Sequence, residues 1–102
     1  MARQHDIARA HEDTVCRALG ASPTNNSGAG TIRADARVKG DIRIECKATD
    51  KASYSVSLKT WGALQSIAAM GREEPVLAVR IQNTDLVVID LDYFERLRDG
   101  QR

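Results

Sequence analysis

Apolar residues recur at helical spacing near the start of the chain, then shift to a period of two. Ile7, Ala8, Val15, Ala18 and Leu19 form one stripe and predict an amphipathic helix over residues 4–19, closed by Gly20. Residues 21–30, ASPTNNSGAG, are rich in Pro, Asn, Ser and Gly and read as a loop. Two strands are expected next, over 31–38 and 41–49, with Lys39-Gly40 as a tight turn between them. In the second, Ile42, Ile44 and Cys46 alternate with Arg43, Glu45 and Lys47, giving one apolar face and one charged face. Tyr54, Val56 and Leu58 alternate with Ser53, Ser55 and Ser57 and predict a third strand. Thr60 is the expected N-cap of a helix over 61–70 that buries Trp61, Leu64, Ile67 and Ala68 and ends at Gly71. After Pro75, residues 76–81 are almost continuously apolar, as in a strand covered on both faces. A fifth strand over 86–89 follows the Asn83-Thr84-Asp85 turn, and a short helix over 92–98 leads to a frayed tail at 99–102. The predicted order is αβββαββα, without repeat or linker.

Length and composition narrow the class. At 102 residues with 42% hydrophobic and 28% charged positions, the chain is expected to be one folded domain spanning 1–102. No stretch approaches a membrane span and the N-terminus lacks an apolar run, so an intracellular, cytoplasmic protein is expected. Cys16 and Cys46 both occupy apolar-periodic positions and read as buried free thiols.

Net charge is only +1, but its placement is uneven. No acid lies between Asp13 and Asp35, and from Thr31 to Thr60 seven basic residues face four acidic ones. Arg33, Arg37, Lys39, Arg43, Lys51 and Lys59 are therefore the candidate contacts to a polyanion.

Within that segment Glu45 and Lys47 share a strand face about 7 Å apart, while Cys46 points the other way. A hard divalent cation takes oxygen ligands, and Glu45 with the Cys46 carbonyl offers two. A second carboxylate has two candidates. Asp41 is on the strand of Glu45 but about 13 Å along it. Asp35 lies on the preceding strand, and a hairpin bending at Lys39-Gly40 folds it back beside Glu45. Geometry favours Asp35 and keeps Asp41 as the fallback. Glu12, one turn from both Ala8 and Cys16, either borders the buried stripe with its head in water or faces the site.

A hairpin bearing an Asp, then Glu-x-Lys on the next strand, then a strand and a helix, resembles the PD-(D/E)XK nuclease superfamily. Within it the chain is most similar to the small Holliday junction resolvases of archaea and phages. The likeness rests on Glu12 in the first helix, Ser27-Gly28 in the loop, ECKAT at 45–49, the Trp61-Leu64-Ala68 helix and the apolar strand after Pro75. It implies a restriction-endonuclease-like α/β fold with a central mixed five-stranded sheet flanked by helices. It further implies that Asp35, Glu45 and the Cys46 carbonyl hold Mg²⁺ or Mn²⁺ against a scissile phosphate. Lys47 would orient the attacking water or offset charge on phosphorus. Glu12 would sit near the metal, and Ser27 near the scissile strand. Gln65 on the second helix is a further candidate to position water or phosphate, against its plain role as a solvated helix residue. The implied activity is endonucleolytic cleavage of branched DNA by a homodimer, because symmetric resolution of a four-way junction takes two active sites. The expected dimer seam is the strand over 76–81 or the helix carrying Trp61.

Overall fold

The computed structural model describes residues 4–24 and 36–100. Its elements in chain order are α1 (Gln4–Leu19), β1 (Ser22–Pro23), β2 (Ala36–Val38), β3 (Ile42–Thr49), α2 (Leu58–Met70), β4 (Glu74–Ile81), β5 (Thr84–Val88) and α3 (Leu91–Arg98). The order αβββαββα is the expected one, but the strands that fill it differ. Residues 53–57 form no strand, and β1 arises inside the expected loop. Tyr54 still packs inward, against Leu64, Leu77 and Val79, whereas Val56 and Leu58 stay 44% and 86% exposed. One anchored side chain in three does not make a buried strand face. Ser57, not Thr60, caps α2: its hydroxyl accepts from the Thr60 N–H at 3.1 Å, three residues earlier than expected.

The five strands form one mixed sheet in the order β1-β2-β3-β4-β5. Neighbours are antiparallel except β3 and β4, which run parallel and are joined through α2. Ala36 lies opposite Ile44 and Val38 opposite Ile42. The turn between them is closed by the Asp41 N–H donating to the Val38 carbonyl at 2.9 Å, with Gly40 at φ 76°. That conformation is open to glycine at little cost and explains Gly40.

Strand β4 lies between β3 and β5, and Val76, Leu77, Ala78 and Val79 are all buried. Their alternation divides the core in two. Val76 and Ala78 join Val15 of α1, Ile42 and Ile44 of β3 and Tyr93 of α3 on one sheet face. Leu77 and Val79 join Leu64 of α2 on the other, with Trp61 packed at the side. The dimer seam expected along 76–81 is therefore ruled out: that strand is interior to the sheet and covered on both faces. Trp61 is committed to core packing. Cys16 and Cys46 form no disulfide and are only half-buried, leaning on the first cluster instead of lying within it. No helix among the described residues is long and apolar enough to cross a membrane.

Candidate active site

Strand β3 sets the site. Ile42, Ile44 and Cys46 turn toward α1, so by alternation Arg43, Glu45 and Lys47 project from the face that carries α2. Glu45 and Lys47 lie beside Leu77 and Val79 of β4, and Cys46 beside Ala78. The Lys47 Nζ is 3.2 Å from Glu45 Oε2, with the side chains 42% and 21% exposed. The expected neighbouring carboxylate and ammonium are thus in contact, half in solvent.

Asp35, Ser27 and Arg33 lie outside the described residues. Ala36, which follows Asp35 in the chain, is paired with Ile44, which precedes Glu45. Asp41 is described, and it is not brought to Glu45. It sits in the hairpin turn before β3, its carbonyl accepting from the Glu74 N–H at 2.8 Å. There it lines a cleft of ≈ 310 Å³ with Gly40, Arg72, Glu74, Tyr93 and Arg96. The unbroken strand from Ile42 to Thr49 separates it from Glu45 by about 13 Å, so one ion cannot bridge the two. The fallback ligand is thereby corrected.

Glu12 is half-buried on α1, the helix packed against the face opposite the one from which Glu45 projects. Gln65 is exposed on α2. Among the expected DNA contacts, Lys39 is exposed at the hairpin tip. Lys51, just past the end of β3, and Lys59, in the first turn of α2, are exposed as well. Arg37 and Arg43 have a structural task. Arg37 donates to Glu73 Oε2 from Nε at 3.0 Å and from Nη2 at 2.6 Å, and Arg43 Nε donates to Oε1 at 2.8 Å. The Gly40 N–H donates to Oε2 at 2.9 Å. The Glu73 side chain is fully buried by this arrangement. Burial alone would push its carboxyl up. The Gly40 N–H and the two guanidinium groups outweigh burial and hold it below the usual carboxylate range.

Sequence reasoning gave no role to Glu73 or His11. The available signal for Glu73 was a pair of acids, Glu73-Glu74, set immediately before a buried strand. His11 is 1% exposed, and its Nε2 donates to the Ala78 carbonyl at 3.1 Å. Its Nδ1 lies 3.4 Å from Asp85 Oδ1 without a well-directed hydrogen bond. The helical stripe passes through position 11, which was the clue to its burial.

The donor chemistry at Glu45 suits a hard cation in kind: an oxygen ligand with an ammonium group alongside to meet phosphate. Among the described residues, no group of three His, Cys, Asp or Glu side chains gathers to hold a metal. The remaining expected carboxylate is Asp35. Compared with known proteins, the chain matches no family model and no curated protein.

Proposed function

We propose that the chain is a metal-dependent endodeoxyribonuclease with a PD-(D/E)XK-type site, cleaving branched DNA, with four-way junctions as the preferred substrate. The observation that carries this reading is the Glu45–Lys47 pair, 3.2 Å apart on one face of β3. The mixed five-stranded sheet, with helices on both faces and the order αβββαββα, supports it as the architecture the resemblance implies. So does the hairpin register, since the Asp35 assignment requires a hairpin bent at this turn.

In this reading Asp35, Glu45 and the Cys46 carbonyl hold Mg²⁺ or Mn²⁺, which when bound polarises a phosphoryl oxygen and lowers the pKa of a water. Lys47 keeps its ammonium group beside the carboxylate and presents positive charge where the phosphate gains negative charge. Ser27 is proposed as the loop hydroxyl; Glu12, expected beside the metal, is carried on the helix that covers the opposite sheet face and is given no part there. Lys51 and Lys59, near the end of β3, are proposed to track the backbone, with Lys39 at the other end of the hairpin.

The test uses a labelled four-way junction, a flap and a matched duplex, each with Mg²⁺, Mn²⁺ or EDTA. Cleavage of the junction in the presence of either metal and none in EDTA is expected. Equal cutting of the duplex would shift the reading to a nicking or restriction-type nuclease. Binding with no cut under either metal would leave a non-catalytic DNA-binding module of the same fold. Affinity is also expected to fall steeply with salt, since phosphate contacts release counterions.

A further inference from the structure

The two edges of the sheet are unlike. Strand β1 closes one edge with two residues, one of them Pro23, which has no N–H to offer. Strand β5 closes the other with five residues, Thr84–Val88, and no described strand pairs its outer side. Long edges in soluble proteins are normally guarded by Lys, Pro, a bulge or a charge. The TDLVV strand contains no Lys and no Pro. Its one charged residue, Asp85, is drawn over the sheet: Oδ1 lies 3.4 Å from His11 Nδ1 and 3.7 Å from Arg80 Nε. Leu86 and Val87 remain 48% and 56% exposed. They pair with Val79 and Ala78 and so stand on opposite faces of the sheet, leaving the edge apolar above and below.

We propose that β5 is the seam of a homodimer, in which β5 of a second copy pairs antiparallel about a twofold axis near Val87. A sheet edge is satisfied by another strand, and main-chain hydrogen bonds supply the attraction. The second copy fits because the strand is self-complementary. The twofold sets Val87 against Val87, Leu86 against Val88 and Asp85 against Ile89, so no like charges meet. Each Asp85 also faces Arg80 of its own chain, Oδ1 to Nε at 3.7 Å. The partner surface of the dimer is thus β5 and not β4. This names the partner surface for the nuclease reading above, and its test reads mass instead of cleavage.

Sedimentation and light scattering on the full chain are expected to give twice the chain mass, and Leu86→Lys combined with Val87→Glu is expected to halve it with far-UV circular dichroism unchanged. A separate variant, Val87→Cys, places its Cβ about 5 Å from its counterpart. Treated with diamide, which takes up the two thiol hydrogens, it is expected to yield a covalent dimer that the identically treated wild type does not. A monomeric wild type, a dimer that survives the double substitution, or a Val87→Cys chain that fails to cross-link would each overturn the seam. A monomer that cuts junctions would overturn it and leave the nuclease reading standing. A cross-linked dimer that never cuts would support the seam and remove the nuclease.

Discussion

Arg37 and Arg43 stand directly opposite each other in the β2–β3 ladder, and both donate to the single carboxylate of Glu73. Like charges so placed repel. Glu73 reverses the sign of that interaction, and it does so from the far side of the crossover, between α2 and β4. The hairpin is thereby fastened to the parallel strand pair at the end where β3 and β4 both begin. Gly71 makes room for it: a Cβ there would lie 3.0 Å from the Glu73 carboxyl carbon and 3.2 Å from Arg37 Nη2.

Replacing Glu73 by Gln should therefore be costly although the shape is kept. It would leave two opposed guanidinium groups without their counter-charge, and breaking such a pair from the buried side typically costs about 3 kcal/mol or more. Partial exposure of Arg37, at 33%, places the expected loss at the low end of that range. Urea denaturation of the two proteins at neutral pH measures the difference directly.

Acid should act through the same carboxyl. Its pKa is lowered on folding, so its contribution to stability is fully present above the unfolded-state value and is lost as the pH falls through the lower folded-state value. Unfolding free energy measured at successive pH values should thus decline on the acid side of the ordinary carboxylate range. The Glu73→Gln protein should show a shallower decline over that window.

Glu45 and Lys47 should behave in the opposite way. Their ion pair is partly exposed, and such pairs contribute about 0–1 kcal/mol. Glu45→Gln and Lys47→Ala are expected to leave the melting curve nearly unchanged. Both should abolish metal-dependent cleavage and largely retain junction binding, because phosphate contacts come from other basic residues. Cleavage by either variant at the wild-type rate would disprove the site assignment. Melting and gel-shift measurements on the same preparations separate the two effects.

Asp35→Asn should harm cleavage far more than Asp41→Asn. Asp41 belongs to the hairpin turn and to the cleft with Arg72 and Arg96, about 13 Å along β3 from Glu45. Initial rates on a junction substrate decide the order, and the reverse order would overturn the assignment of Asp35 as the metal ligand.

Several features were legible in the chain because their causes are local. The stripe from Ile7 to Leu19 gave α1 its extent, and Gly20, at φ 65°, ends it as expected. Continuous apolarity after Pro75 predicted that β4 would be covered on both faces, as Leu77 and Ala78 are. The segment 53–58 misled because serine alternating with apolar residues fits a strand or an extended connection equally well. Only a neighbouring strand could have decided for a strand, and β4 occupies the position beside β3. Two of the basic residues have a partner that local spacing could not show. Arg37 and Arg43 looked like surface charge until Glu73, remote in sequence, came to lie between them.

By itself the sequence determined α1, β3, α2, β4, β5 and α3 and placed Glu45 and Lys47 side by side, since a period of two or of 3.6 is written in nearest neighbours. The tertiary structure alone decided which strands pair, which face each helix covers, that Asp41 belongs to a turn and not to the site, and that β5 is left at an edge. Those outcomes depend on partners distant in the chain, and a distant partner leaves no periodic mark on the residues it will meet.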